Sequence, residues 1–175
     1  LPSDLKRTFS EIIAELNRAS EIINNLLSLN TLTRPERMQF TSVDIAPIAE
    51  TVIKRHQPLA RERNIKMVLR KEPGALVWGN STALEQVMMN VIKNALAYTP
   101  AETGGVVTVT VRPESGGMVL FSVTDTGIGM SQEDLFHVFE PFFRADTSRN
   151  RALRPSGSGP GLTIVNEMVR AHPGR

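Results

Sequence analysis

The sequence predicts an α+β fold: a two-layer sandwich with a mixed, mostly antiparallel sheet, preceded by a long bundle helix. Three observations point there. Segments of helical period are interleaved with short runs of period-two alternation, the pattern of helices packed on a sheet. Residues 106–111 and 118–124 alternate on either side of a turn at 113–117, which pairs them as a hairpin. Residues 3–30 carry a helical seam and no strand signal.

Within 3–30, Leu5, Phe9, Ile12, Leu16, Ala19, Ile23, Leu26 and Asn30 recur at alternating spacings of four and three, a heptad seam about 40 Å long at 1.5 Å per residue. Ile13, Ile22 and Leu27 widen it, which favours a multi-helix bundle over a two-stranded coil. Ser3 or Asp4 can cap its start, and Thr33-Arg34-Pro35 ends it. A linker covers 35–41. Residues 43–64 read as a helix with Ile45, Ile48, Ala49, Val52, Ile53 and Leu59 on its apolar face; Pro47 suits its first turn, and Pro58 is expected to bend or interrupt it. Residues 65–69 and 75–78 read as strands around a Pro73-Gly74 turn. Ser81 is placed as the cap of a helix carrying Leu84, Val87, Met88, Val91 and Ile92. Residues 131–139 form a short helix capped by Ser131, 142–156 a loop rich in arginine, and 161–170 a final amphipathic helix.

Composition narrows the function classes. With 175 residues, 41% hydrophobic and 22% charged, this is globular composition, enough for one domain and an extra helical element. No apolar run reaches the roughly 18 residues of a membrane span. There is no cysteine, so disulfides and thiolate metal sites are excluded, which fits a reducing compartment. A net charge of +2 gives no basis for nucleic-acid binding.

Three clusters carry chemistry. Asn90 and Asn94 lie one helical turn apart and face the same way. Their amide oxygens suit a hard cation such as Mg²⁺, which keeps several waters and needs few protein ligands; equally, they suit a polar helix face. Asp125 ends a strand and enters Gly127-Ile128-Gly129. The glycines let the backbone approach a flat ligand, and the carboxylate can accept a hydrogen bond from an exocyclic amine such as that of adenine. The same residues could form a plain turn closed by an Asx hydrogen bond. Gly157-Ser158-Gly159-Pro160-Gly161-Leu162 opens a helix, where free N–H groups and the helix dipole attract phosphate; it could also be a hinge. Arg144, Arg149, Arg151 and Arg154 lie beside it.

Taken together, Asn90…Asn94, Asp125-Thr126-Gly127-Ile128-Gly129, Phe139-Glu140-Pro141-Phe142-Phe143-Arg144 and Gly157 to Leu162 resemble the N, G1, F and G2 boxes of sensor histidine kinases of two-component systems, in family order. The resemblance covers about 40–172, and 3–30 resembles the second helix of that family's dimerisation and phosphotransfer hairpin. It implies a Bergerat-type ATP-binding sandwich with a lid between Met130 and Gly157. The implied domains are 1–34 (partial hairpin helix), 35–41 (linker) and 42–175 (catalytic). The implied cofactors are ATP and Mg²⁺. Asn94 would hold the metal with Asn90 nearby, and Asp125 would read adenine in a pocket shaped by Gly127 and Gly129. Tyr98 would pack on the base, Arg144 would reach the phosphates, and Phe139 and Phe142 would anchor the lid. Gly157, Ser158, Gly159, Gly161 and Leu162 would wrap the triphosphate. The implied reaction moves the γ-phosphoryl group to a histidine and then to an aspartate of a response regulator. The parent would be a homodimer through its helical hairpin, with this part cytoplasmic and any membrane contact made by other parts.

Four features depart from that family. None of His56, His137 and His172 carries the phosphoacceptor pattern, so each reads as a surface or partly packed histidine and the chain as a truncated fragment. The family normally adds a last pair of strands after 171–175, and these are expected either to be lacking or to lie beyond the given sequence. Ala97 stands where a cation usually precedes the tyrosine. Pro160 replaces the usual leucine, removing an N–H donor. If that donor meets phosphate in the family, Pro160→Leu is expected to tighten nucleotide binding by about 1–3 kcal/mol, and calorimetry showing equal or weaker affinity would remove the idea. Two alternatives share the fold: a degenerate ATP-binding signalling module, and a Bergerat-fold ATPase. The ATPase needs a glutamate base at the position held here by Asn90, with Glu85 and Gln86 offset from it.

Overall fold

The computed structural model describes residues 5, 8, 9, 11–13, 15, 16, 19, 20, 23, 39–101, 104–141, 143 and 161–172. The N-terminal residues among these are helical, as the heptad seam requires. Leu5, Phe9, Ile12, Ile13, Leu16 and Ile23 are all exposed, so the described part of the seam is not covered within this chain.

The globular part opens on a strand rather than a helix. Thr41–Asp44 (β1) pairs antiparallel with Leu76–Gly79 (β3), Ser42 opposite Trp78, which corrects the expected helix start at residue 43. The physical reason is Asp44, whose side chain accepts the Ala46 N–H at 3.0 Å and so caps a helix that begins one residue later. That helix, α1 (Ile45–Glu62), runs through Pro58 without interruption. Pro58 lies on the solvent face, where the carbonyl it leaves unbonded can be hydrated. α1 ends in a left-handed capping turn: Ile65 N–H bonds Ala60 O at 2.8 Å, Asn64 N–H bonds Arg61 O at 3.0 Å, and Asn64 sits at φ +52°.

Lys66–Lys71 (β2) pairs parallel with Val106–Pro113 (β4), and β4 pairs antiparallel with Val119–Asp125 (β5). Of the three strand pairings among the described residues, two are antiparallel, but β1 and β3 form their own small sheet. Between β3 and β4 runs α2 (Ser81–Tyr98), the long crossover a parallel pair needs. Its cap is Asn80, not Ser81: the Asn80 side chain accepts the Ala83 N–H at 3.0 Å. The β4–β5 turn contains Gly116 and Gly117, both at φ +74°.

Alternation on β4 sends Val107, Val109 and Val111 inward, all fully buried. They meet Val52, Ala49 and Ala60 of α1 and Met88, Ile92 and Leu96 of α2 in one core, so two helices cover one face of the sheet. A second apolar cluster joins Ala83 and Val87 of α2 to Ile164 and Met168 of α4 (Gly161–Ala171). A short helix, α3 (Gln132–His137), is capped by Ser131, whose Oγ accepts the Asp134 N–H at 3.0 Å.

Candidate functional site

The core fixes which way α2 faces. Met88, Ile92 and Leu96 point into the sandwich, so the row at 90, 94 and 98 lies elsewhere on the helix. Asn90 is 9% exposed, and its Nδ2 donates to Gly161 O at 3.4 Å. That bond occupies the donor end of the amide and leaves its oxygen as an acceptor. Asn94 and Tyr98 follow at one-turn intervals, both half-buried.

At the end of α2 the Asp125 turn is fastened to the helix. Asp125 Oδ1 accepts the Gly127 N–H at 2.8 Å, the Asx bond that the sequence allows. Asp125 is exposed, and its second oxygen has no partner among the described residues. The Ile128 N–H donates to Tyr98 O at 3.2 Å. A Cβ on Gly127 would lie 2.6 Å from Tyr98 O and 2.5 Å from Asp125 Oδ1, so only glycine allows this approach. Gly129 sits at φ +71°. Thr126 locks the other side: its Oγ1 accepts the Val106 N–H at 2.9 Å and its own N–H bonds Val106 O at 3.1 Å.

The third side is α4. Ile164, fully buried, and Met168 seat it on α2, which brings Gly161 to Asn90. Thr163 Oγ1 donates to Glu140 O at 3.1 Å, so the segment after α3 rests on the start of α4. Phe139 is 49% exposed. His137 Nδ1 meets Glu140 Oε1 at 2.7 Å, and this bond raises the His137 pKa above its ordinary value. Its ring lies 5.7 Å from that of Phe143. Arg144, Phe142, Gly157, Ser158 and Gly159 lie outside the described residues, as do Pro160 and most of the arginine-rich loop.

Two sequence segments thus meet α2, the Asp125 turn on Tyr98 and the start of α4 on Asn90, and a third, the post-α3 segment, rests on α4. A profile of the family described as "Histidine kinase-, DNA gyrase B-, and HSP90-like ATPase" matches residues 79–175, the stretch that contains all three. The chain belongs to this family. Among its relatives, the sensor-like histidine kinase SenX3 of Mycobacterium tuberculosis is 36% identical over 174 residues, covering 98% of this chain and 41% of that protein. The mycobacterial sensor histidine kinase MprB is 30% identical at TM-score 0.62, covering 77% of this chain and 80% of that structure. Full-length ShkA in complex with AMPPNP is 26% identical at TM-score 0.73, covering 98% of this chain and 35% of that one. The chain is therefore an ATP-binding domain of the sensor histidine kinase type, with the α+β sandwich of that family. It spans about two-fifths of the length of SenX3.

In this histidine kinase domain some residues that hold the site together carry no motif. Arg63 reaches the last carbonyls of α2, with Nη1 2.6 Å from Leu96 O and Nη2 3.3 Å from both Ala97 O and Thr99 O. A lone cation just past a helix gives no sequence signal. His172, a partly packed histidine, donates from Nδ1 to Met168 O at 2.7 Å and accepts the Asn80 N–H on Nε2 at 3.2 Å; the carbonyl and the N–H together define its tautomer. His56 is buried and bonded to Val52 O at 2.8 Å, more completely packed than the surface or partly packed role expected. Glu85 is paired with Arg55 at 2.8 Å on the surface. No cluster of three or more His, Asp or Glu among the described residues could hold a metal, and no described helix is long and apolar enough to cross a membrane.

Proposed function

We propose that this domain binds ATP with Mg²⁺ and donates the γ-phosphoryl group to a histidine, for relay to a response-regulator aspartate in the parent protein. The observation that carries the reading is the convergence of the Asn90–Gly161 contact and the Asp125–Gly127 turn on one helix. Asp125 receives the adenine amine on its second oxygen while the first holds the turn. Tyr98 flanks the base, and Gly127 and Gly129 admit it. The start of α4, with Gly161 and Leu162, and the preceding Gly157, Ser158 and Gly159 meet the phosphates with backbone N–H groups; Arg144 adds charge. Mg²⁺ fits Asn94 and Asn90 because neutral amide oxygens with phosphates and waters satisfy it, and its chemistry here is neutralisation of phosphate charge. Catalysis of this kind rests on positioning. None of His56, His137 and His172 carries the phosphoacceptor pattern, so none of them is proposed as the acceptor. The hairpin helix would pair with a second copy, and the linker expected at 35–41 would join it to the catalytic domain, one residue shorter than expected because Thr41 already belongs to β1.

Calorimetric titration with Mg·ATP is expected to give a Kd between about 1 µM and 1 mM, with no steady phosphate release. Sustained release would favour the ATPase alternative, and no binding would leave the degenerate signalling module.

A further inference from the structure

We infer that Arg63 is a positioning residue for the base end of the nucleotide site. The inference rests on the nucleotide reading above. Every helix leaves its last four carbonyls without an intrahelical partner. In α2 these are Ala95, Leu96, Ala97 and Tyr98, and the structure accounts for each. Ala95 O accepts the Thr99 N–H at 3.1 Å and Thr99 Oγ1 at 2.7 Å. Tyr98 O accepts the Ile128 N–H from the Asp125 turn. Leu96 O and Ala97 O are left, and Arg63 takes both, adding Thr99 O beyond the helix.

The arrangement suits an arginine in particular. Its planar fork spans several acceptors at once, which a lysine ammonium on a flexible stem does not. Its charge meets the negative end of the α2 dipole. Its own backbone is held by the left-handed cap of α1, where the Arg63 N–H bonds Leu59 O at 3.1 Å and Asn64 turns at φ +52°. The hydrogen bonds of the Arg63 side chain go to neither Asp125 nor the α4 contact with Asn90. It acts on the segment 96–99, and that segment carries both Tyr98 and the carbonyl to which the Asp125 turn is tied. Loosening it shifts the base pocket and leaves the phosphate end, seated on α4, where it is.

The test compares the 175-residue chain with Arg63→Ala and Arg63→Lys. Calorimetry reads ATP, and competition reads magnesium tripolyphosphate, which has phosphates and no base. Arg63→Ala is expected to weaken ATP about tenfold, the scale of one lost hydrogen bond of positioning, with tripolyphosphate changed less than about twofold. Arg63→Lys, which keeps the charge and part of the bonding, is expected to weaken ATP about threefold, again with tripolyphosphate unmoved; it decides the matter if the alanine variant does not fold. Equal losses for ATP and tripolyphosphate, or unchanged ATP affinity in a folded variant, would overturn the inference. Failure of the unsubstituted chain to bind ATP would overturn the nucleotide reading itself and the inference with it.

Discussion

Asp125→Asn is expected to weaken ATP binding by about 10- to 100-fold while changing folding stability by less than about 1 kcal/mol. The two effects separate because the two carboxylate oxygens do different things. Oδ1 holds the turn through the Gly127 N–H at 2.8 Å, and the asparagine amide oxygen can take its place. The other oxygen becomes an NH₂ group, a donor facing a donor where the adenine amine is proposed to lie, and the charge is lost as well. Hydrogen bonds to charged groups contribute about 1.5–3 kcal/mol, which sets the range. Asp125→Ala is expected to lose the same affinity and some stability besides, because the Gly127 N–H is then released. Calorimetry and a thermal melt on the same samples check both halves. An asparagine variant that binds ATP like the original chain would confine the carboxylate to the turn.

Ile164→Ala is expected to destabilise the domain by about 2–5 kcal/mol, the range for deleting a buried aliphatic side chain and leaving a cavity. At about 2–4 °C per kcal/mol for a chain of this size, the midpoint should fall by roughly 4–20 °C. Ile164 is fully buried, and the cluster it belongs to is small: Ala83, Val87 and Met168, with Val165 packed against them. α4 therefore has few other apolar contacts to hold it on α2. As α4 loosens, Gly161 leaves Asn90, and ATP affinity should fall with stability. A loss below about 1 kcal/mol would show that α4 is held mainly by its hydrogen bonds at Thr163 and His172.

Most of the element order was legible in the sequence because burial imposes period two on β4 and near-3.6 on α1 and α2. What was misplaced lies where local signals compete. Residues 43–44 continue the helical pattern of α1 backwards, yet the backbone of 41–44 pairs with 76–79, a partner more than 30 residues away that no local window contains. Asn80 and Ser81 are both good caps, and only the chain direction out of β3 selects the first. The parallel β2–β4 pairing was likewise invisible, since alternation is the same in either direction.

The candidate site divides along the same line. Local sequence was enough to name the groups: two amides a turn apart, a carboxylate before two glycines, a glycine-rich entry to a helix, and through these the family resemblance. Residue type and short spacing suffice there, because each cluster spans little more than one turn of local structure. That these clusters meet, with Gly161 O at Asn90 and the Ile128 N–H on Tyr98 O, follows from packing alone. Only the three-dimensional structure reveals that Arg63, one residue beyond the end of α1 and outside every motif, satisfies carbonyls more than 30 residues away. Helix ends leave polar groups that must be satisfied from outside the helix, and the partner that does so is set by packing, which no spacing rule encodes.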